Sequence, residues 1–355
     1  MKYTFEFTIA GCSTNCAHCY VNGGPAPQMD LATFKNCAQK LKAILDRLDG
    51  DVAVTLGNEI FCHDAINDVL KFSANNLSDY FSFCSYPVPT TGIALVDHKD
   101  RDQIIENLQA VGASGFMLAL HGAEYSHNSI VHRQDAFSKL FEAVDYLTNE
   151  GFGVLFNLIV SKSLCTDFDQ LMQRLSNYSY ADIRLTVPLY VPTKRMRRYQ
   201  IHRAEFDDCI RLAKIATKYS IDASKLIEHC TKHNENTIIN DLMVNGFNYT
   251  IEKQTEVQWK FFNITQNGDL YFGNVGAHTK WLGNLLYTEK SVLLEEILAC
   301  ATNYDYTAYF PDDVFLSLEQ AFPDLPARDH NYVYSSEQDC IYALLDELGY
   351  PNSLI

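Results

Sequence analysis

Three cysteines near the amino terminus have the residue type and the spacing of an inorganic ligand set. Cys12, Cys16 and Cys19 follow a C-x3-C-x2-C pattern directly after the first apolar run of the chain. This spacing allows one loop to place three thiolates around a single inorganic centre. A structural zinc ion or a standard iron–sulfur cluster takes four ligands from the protein, so three thiolates leave one coordination position open.

Two other interpretations of these cysteines stay open at this point. A zinc ion would take His18 or His63 as its fourth ligand, or the three thiols would be unligated core residues. Zinc sites usually combine two cysteine pairs, or a cysteine pair with a histidine pair, and the sequence contains no second pair. The 11 cysteines are an odd number spread over 355 residues, which favours metal ligation or buried thiols over a disulfide framework.

The elements that position these thiols alternate between strand and helix patterns. Short apolar runs rich in β-forming residues lie at residues 3–9, 52–56, 80–84, 115–120, 153–160 and 183–189. Between them, helical spacing of apolar residues covers residues 31–48, 65–73, 101–108, 137–147, 168–175 and 206–216. About six strand–helix units predict a parallel sheet with crossover helices. The cysteine loop follows the first strand, where a barrel would carry its chemistry.

The pattern changes after residue 219. Residues 229–241 are polar and are interpreted as a loop, and the apolar runs at 259–265 and 270–272 flank Asn267-Gly268, a strong hairpin signal. Further helices are predicted at residues 291–300, 314–322 and 338–348. The expected organisation is a first domain over residues 1–219 and a small α+β extension over residues 220–355.

The cysteine motif, its place after the first strand and the aromatic-type His18 before the last cysteine resemble the signature of the radical S-adenosylmethionine (SAM) superfamily. The resemblance implies an α/β fold with a partial (β/α)6 barrel of TIM type, in agreement with the six units. It implies that Cys12, Cys16 and Cys19 hold three irons of one 4Fe-4S cluster and that SAM chelates the fourth. It also implies reductive cleavage of SAM to a 5′-deoxyadenosyl radical. Thiolate-ligated clusters reach the low potentials, down to roughly −700 mV, that this cleavage needs.

The segment after the second strand adds to the resemblance. Leu56-Gly57-Asn58-Glu59 is similar to the Gly-Gly-Glu motif that meets the SAM amino group in this superfamily, although Asn58 replaces the second glycine and no proline follows Glu59. A Gly-Asn turn with a solvated glutamate is the alternative.

The ends of the fourth and fifth strands complete the expected SAM site. His121-Gly122, followed by Glu124, His127, Arg133 and Phe137, resembles the corresponding segment of peptide-modifying radical SAM enzymes. By this resemblance Arg133 pairs with the SAM carboxylate, for which a guanidinium is suited, and a surface arginine is the alternative. Asn157 is assigned to the SAM ribose or carboxylate, with a hydrogen-bonded core asparagine as the alternative. The expected cofactor-binding residues are His18, Gly57, Asn58, Glu59, His121, Arg133 and Asn157.

The carboxy-terminal region is similar to the SPASM/twitch extension of radical SAM enzymes over residues 261–273 and 282–285. In that extension the hairpin carries a cysteine for an auxiliary cluster, and here Gly273 occupies its position. Cys230, Cys300 and Cys340 are isolated in the sequence. We therefore expect a hairpin scaffold without auxiliary clusters. A basic run at residues 194–198 is interpreted either as an anionic-substrate site or as a solvated surface.

Charge and hydropathy limit the partners. The formal net charge of −16, from 28 Lys+Arg and 44 Asp+Glu, argues against broad affinity for nucleic acid or anionic membranes. No stretch approaches the about 20 apolar residues of a membrane span, and the amino terminus lacks the layout of a secretory signal, so a cytoplasmic location is expected.

These features favour a radical SAM enzyme that abstracts hydrogen from a peptide of the ribosomally synthesised natural-product type, or from a small natural-product intermediate. The resemblance implies a flavodoxin- or ferredoxin-type reductant. The sequence does not resolve whether the enzyme is an oxidoreductase, an isomerase or epimerase, or a transferase. The alternative function is a non-catalytic protein that binds zinc or an iron–sulfur cluster, or a partner protein.

Overall fold

A computed structural model gives the fold of residues 2–19, 21, 23–57, 59–81, 87–191, 193–245, 259–273, 280–303 and 329–349. The strands are β1 (Lys2–Thr8), β2 (Asp51–Gly57), β3 (Val88–Thr90), β4 (Gly115–Leu120), β5 (Gly153–Ile159), β6 (Asp182–Thr186), β7 (Trp259–Ile264), β8 (Asp269–Phe272) and β9 (Lys280–Asn284). The helices are α1 (Leu31–Leu45), α2 (Ile66–Asn76), α3 (Ile93–Asp97), α4 (Arg101–Ala110), α5 (Glu124–Val131), α6 (Ala136–Asn149), α7 (Lys162–Leu175), α8 (Lys194–Tyr199), α9 (Phe206–Ala216), α10 (Ser224–Lys232), α11 (Glu235–Asn245), α12 (Lys290–Asn303) and α13 (Glu337–Glu347). None of the described helices has the length and hydropathy to cross a bilayer.

The strands form two sheets that together make a partial barrel, and every described strand pair is parallel except β7–β8 and β8–β9, which are antiparallel. One sheet has the order β2-β1-β7-β8-β9, and the other has the order β3-β4-β5-β6. A parallel bridge between Val54 and Phe81 pairs β2 with the segment that precedes β3. Strands β1 to β6 therefore follow one another around an open barrel, with helices between them. The predicted α/β fold with a partial TIM-type barrel is confirmed.

Side chains of β1 alternate between the helix-packed core and the barrel interior. Phe5 and Phe7 are fully buried, and the Phe7 ring meets the ring of Phe34 in α1 edge-on, with 5.2 Å between centroids. Glu6 and Thr8 project from the opposite face and line an interior cavity. The two faces of this strand thus separate the core from the candidate site.

The hairpin predicted at Asn267-Gly268 forms between β7 and β8. Gly268 has a φ of 82°, a left-handed conformation that glycine adopts without steric cost. Strand β7 pairs in parallel with β1, from Lys2 opposite Trp259 to Phe7 opposite Ile264. The carboxy-terminal region therefore adds a strand to the barrel sheet, while the division into residues 1–219 and 220–355 stays a prediction.

Some predicted elements differ from the structure. Residues 229–241 were interpreted as a loop, but they belong largely to α10 and α11. Asn234 lies between these helices, donates to the Cys230 carbonyl at 2.9 Å and accepts from the Thr237 amide at 3.0 Å, so the polar residues cap the helices. Strand β6 ends at Thr186, before Pro188, which has no amide hydrogen for the ladder.

Two predicted elements fall wholly or partly outside the described residues. The strand predicted at residues 80–84 is represented by the bridge at Phe81, and residues 82–86 are not described. The helix predicted at residues 314–322 lies in the undescribed range 304–328. The remaining predicted helices of the first domain and the strands β1, β2, β4 and β5 agree with the structure within a few residues.

Arg203 joins the end of the barrel to the carboxy-terminal segment from a fully buried position. Its guanidinium donates to the carbonyl oxygens of Pro188 at 3.0 Å and Val333 at 3.1 Å, and its Nε donates to Gln200 Oε1 at 2.7 Å. The guanidinium carbon lies 4.6 Å from the centre of the Tyr334 ring. The planar guanidinium carries five N–H donors in a fixed arrangement and reaches all of these acceptors. A lysine ammonium is a single point charge and cannot reach them together.

We expect Arg203→Lys to lower the free energy of unfolding by about 3 kcal/mol, because buried carbonyl oxygens lose their donors. Urea unfolding followed by circular dichroism measures this change. The matched control is Arg198→Lys on the exposed side of α8, with an expected change within about 0.5 kcal/mol. Equal stabilities of the two variants would contradict the role given to Arg203.

Candidate functional site

A cavity of about 630 Å³ lies at the carboxyl ends of the barrel strands. Residues of β1, β3, β4, β5, β6 and β7 form part of its wall, and the cysteine loop and α5 form the rest. Cys12, Cys16 and Cys19 all line it, as the place of the motif after β1 predicts. The carboxyl ends of the strands are where barrel folds carry their sites.

The three thiols share hydrogen-bonding groups with the loop. Thr14 Oγ1 lies 3.1 Å from Cys12 Sγ and 3.4 Å from Cys16 Sγ. The Gly23 amide donates a hydrogen bond to Cys19 Sγ at 3.0 Å. Hydrogen bonds to ligating sulfur are one means by which proteins set the potential of an iron–sulfur cluster.

The loop is fixed by bonds at its ends. The Cys12 amide donates to the Gly24 carbonyl at 2.8 Å. Arg195, from the basic run in α8, donates to the Gly23 carbonyl at 2.5 Å and to Asn15 Oδ1. This arginine therefore holds the loop that carries the thiols, a role that neither interpretation of the basic run anticipated.

The structure removes His63 as the fourth ligand of the zinc alternative. His63 Nε2 lies 2.7 Å from the Met29 carbonyl, and its Nδ1 accepts from the Ala65 amide at 3.0 Å, so both ring nitrogens are engaged. Within the described ranges, no three Cys, His, Asp or Glu side chains converge closely enough to hold one metal ion.

Burial favours the protonated form of the motif thiols. Burial raises the pKa of Cys16 to about 12. It also raises the pKa of Cys12, and the nearby Glu59 carboxylate adds to that rise. Iron binds the thiolate form, so cluster assembly must release protons from these thiols.

Glu59 lines the cavity, but threonines already bind its carboxylate. Its Oε1 accepts from Thr90 Oγ1 at 2.7 Å, and its Oε2 accepts from the amide and the hydroxyl of Thr91, each at 2.7 Å. Burial raises the pKa of Glu59, and these hydrogen bonds oppose the rise. The predicted neighbour Asn58 lies outside the described residues.

Gly57, the last residue of β2, lies against the side chain of Glu6. A methyl group at position 57 would be 2.2 Å from both Cδ and Oε1 of Glu6. The glycine thus leaves the space that this carboxyl group fills. Glu6 was not predicted as a site residue. The available signal was its position between Phe5 and Phe7, because alternation along a strand places it on the face opposite to the two phenylalanines.

Three histidine rings form a row beside the thiols. The centroids of His18 and His121 are 4.2 Å apart, and those of His121 and His127 are 5.5 Å apart. The Nδ1 atom of each ring is buried without a hydrogen-bond partner in the described part of the chain. Burial lowers the pKa of His18 to about 4 and of His127 to about 3, so these rings are neutral near pH 7. All three residues line the cavity, although their Nδ1 atoms are buried.

The structure separates the last two predicted SAM contacts. Asn157 lines the cavity, and its Oδ1 accepts from Thr186 Oγ1 at 2.5 Å. Arg133 does not line the cavity, because its guanidinium binds Asp97 at 3.1 Å and Asp135 at 2.5 Å. We therefore leave Arg133 out of the site proposed below.

The other cysteines are mostly buried. Cys230 is not isolated in space, because it forms a hydrogen bond with Cys209 that, together with burial, raises the pKa of Cys209. Cys300 and Cys340 are buried, and Lys280 Nζ lies 3.9 Å from Cys300 Sγ. Gly273, at the expected auxiliary-cysteine position, donates its amide to the Phe261 carbonyl at 2.9 Å.

Titration of Glu6 should make the free energy of unfolding depend on pH. Burial raises the pKa of its carboxyl group from 4.5 to about 7, so the folded chain holds this proton more tightly than the unfolded chain. The stability from this proton is present below pH 4.5 and is lost as the pH rises toward 7. We expect the unfolding free energy of the metal-free protein, relative to Glu6→Gln, to fall by about 3 kcal/mol across this range. Urea unfolding of both proteins under reducing conditions measures it, and a difference that is constant with pH would contradict it.

The similarities of this chain to known proteins agree with this arrangement of the site. Residues 7–164 match the family model described as the Radical SAM superfamily. The fold is similar to that of native anSMEcpe with bound AdoMet, with a TM-score of 0.57 and 12% identity over 99% of this chain and 98% of that chain. It is also similar to Streptococcus suis SuiB bound to its precursor peptide SuiA, with a TM-score of 0.55 and 12% identity over 85% of this chain and 66% of that chain. A search of curated proteins gave no match.

Residues 7–164 therefore form a radical SAM domain, and proteins with this domain are enzymes. The cofactors of this domain are those of the superfamily, a 4Fe-4S cluster and SAM. The matched residues include the three motif cysteines, Glu59, His121 and Asn157. At 12% identity the similar structures share the fold, and they do not define the substrate.

Proposed function

We propose that Cys12, Cys16 and Cys19 hold one 4Fe-4S cluster, that SAM lies in the adjoining cavity, and that the enzyme abstracts hydrogen from a peptide or a small natural-product intermediate. The observation that carries this proposal is the convergence of three motif thiols on one wall of the 630 Å³ cavity at the carboxyl ends of the strands. Three cysteines leave one iron for SAM.

The residues present fit these cofactors. Thr14 and Gly23 already place hydrogen-bonding groups on the three sulfur atoms. His18, His121 and His127 line the cavity beside the thiols as neutral rings. The cavity volume lies within the roughly 300–1,000 Å³ of small-molecule sites.

The bound cofactors supply the electron and the 5′-deoxyadenosyl radical that abstracts hydrogen, and the chain supplies position and exclusion of water. Arg195 fixes the cysteine loop through Gly23 and Asn15. His18, His121 and Asn157 line the space beside the thiols and are the proposed polar contacts of SAM. The backbone at Gly57 and Glu59 remains a proposed contact of the SAM amino group, together with the undescribed Asn58.

A peptide substrate is supported by the fold shared with anSMEcpe and SuiB, whose structures have been solved with peptides bound. A small molecule is the other candidate. We further propose that residues 220–355 form a SPASM/twitch-like extension without an auxiliary cluster. A flavodoxin- or ferredoxin-type reductant and a cytoplasmic location complete the proposal, since thiolate-bound clusters are suited to a reducing compartment.

Anaerobic reconstitution with iron and sulfide tests the proposal. We expect about four irons per chain, a brown chromophore, and 5′-deoxyadenosine from SAM once a strong reductant is added. A protein that takes zinc instead, or that holds a cluster yet never cleaves SAM, would support the alternative of a non-catalytic metal-binding or partner-binding protein. Transfer of deuterium from a labelled candidate peptide or small molecule into 5′-deoxyadenosine would then identify the substrate class.

A further inference from the structure

Glu6 presents to the cavity a carboxyl group that accepts no hydrogen bond from any described residue. It lies in the middle of β1, on the face that Thr8 shares, and it lines the cavity. In the described part of the chain no group donates a hydrogen bond to it, and burial alone raises its pKa to about 7. An ionised carboxylate in such surroundings is costly unless it is paired.

The neighbouring strand is shaped around this side chain. Gly57 of β2 has no Cβ, and a methyl group there would lie 2.2 Å from Glu6 Oε1. The backbone of Gly57 has no positive φ, so its lack of a side chain matters here for space rather than for conformation. The packing of β1 against β2 therefore accommodates a carboxyl group that no other described group pairs with.

The strand on the other side adds a second acceptor. Asn263 of β7 stands opposite Glu6 in the parallel register. Its Nδ2 donates to Thr8 Oγ1 at 3.1 Å, which leaves its carbonyl oxygen without a donor within the described residues. Glu6 and Asn263 thus place two hydrogen-bond acceptors on adjacent strands of one wall.

The described lining of the cavity has no positive charge that would satisfy Glu6. None of the described residues that line it is a lysine or an arginine. The only other acidic residue on the described wall, Glu59, is bound by Thr90 and Thr91. Arg195 approaches the cysteine loop but donates to Gly23 and Asn15.

We propose that Glu6, with Asn263 beside it, binds a cationic group, an ammonium or a guanidinium, of a molecule that occupies this cavity. Such groups carry several donors and a positive charge, which matches one carboxylate and one amide oxygen. The inference rests on the proposed function in taking the cavity as the ligand site. The cation is a basic group of the substrate, because the α-amino nitrogen of SAM is expected at the open iron and an iron-bound amine is not an ammonium.

The test compares the native protein with Glu6→Gln and with the exposed control Glu150→Gln, all full-length and reconstituted. Equilibrium dialysis measures the Kd of SAM first. On the SAM-loaded proteins it then measures the Kd of acetyl-Ala-Lys-Ala-amide, of its arginine counterpart, and of the uncharged norleucine peptide. Iron content and 5′-deoxyadenosine formation are recorded separately, so that failure of the proposed function is seen in the native protein itself.

We expect Glu6→Gln and Glu150→Gln to leave the Kd of SAM unchanged. The native protein should prefer a basic peptide over the norleucine peptide about tenfold or more, and Glu6→Gln should remove that preference. The proposal is overturned if the native protein shows no such preference, if Glu6→Gln keeps it, or if Glu6→Gln instead raises the Kd of SAM. It is also overturned if the variant weakens the norleucine peptide as much as the basic ones.

Discussion

Replacing Cys16 with alanine should abolish cluster binding and lower the rate of 5′-deoxyadenosine formation by about a thousandfold or more, and Cys12→Ala and Cys19→Ala should do the same. Each variant removes one of three thiolates, and two thiolates do not hold a 4Fe-4S cluster that also leaves one iron open. Fold should persist, because the loop is also held by the Cys12 amide bond to Gly24 and by Arg195. Iron analysis, visible absorption and circular dichroism on anaerobically reconstituted protein measure these effects.

Cys62 provides the matched control for this series. Burial raises the pKa of Cys62 to about 12, and the nearby Glu59 and Cys12 add to that rise. Cys62 is not among the described residues that line the cavity. Cys62→Ala should keep the cluster and the cleavage of SAM. Loss of the cluster in Cys62→Ala would mean four cysteine ligands and no position for SAM, which contradicts the proposed site.

The second large effect is expected at Gly11, directly before the first ligand. A methyl group at this position would lie 2.3 Å from the Gly24 carbonyl oxygen and 2.6 Å from the Ala26 amide nitrogen. These are backbone atoms, and the neighbouring Cys12 amide bonds to the same Gly24 carbonyl at 2.8 Å. Gly11→Ala must therefore displace the backbone of residues 24–26, which closes the cysteine loop.

We expect Gly11→Ala to lower iron incorporation about tenfold or more and to cost about 1–3 kcal/mol of unfolding free energy, as overpacking does. Iron content per chain and thermal unfolding measure the two effects. Gly153→Ala is the control, because a methyl group there meets its nearest atom at 3.6 Å, an ordinary contact. Normal iron incorporation in Gly11→Ala would show that the loop closes in a different way from the one described.

Local patterns predicted the parts of the fold whose causes are local. The apolar spacing of residues 31–48 predicted α1, and Asp30 caps that helix by accepting from the Thr33 amide at 2.9 Å. The same reasoning gave a wrong prediction of a loop for residues 229–241. Asn234 was interpreted as a loop residue, but its side chain caps the helices on both sides of it. Parallel pairing of β7 with β1 was not predicted, since it joins strands about 250 residues apart that share no local signal.

The residues of the site can likewise be separated into those with a local signal in the sequence and those without one. Spacing alone indicated Cys12, Cys16 and Cys19, because one loop holds all three. Arg133 was expected to reach SAM, but Asp97, 36 residues away in the sequence, and Asp135 bind it instead, and the first of these contacts cannot be recognised without the fold.

Glu6 was missed for a related reason. A polar residue between two phenylalanines in a strand is usually interpreted as facing solvent. In an open barrel that second face lines the interior, so the same alternation places a carboxyl group in the cavity.

The most direct test of the central claim is electron paramagnetic resonance of the reduced, reconstituted cluster with and without SAM carrying 15N in its amino group. The account predicts that SAM changes the spectrum of the cluster and that hyperfine coupling to the labelled nitrogen appears, because one iron is free of protein ligands. A reduced cluster whose spectrum is the same at saturating SAM, with no coupling to the label, would contradict it.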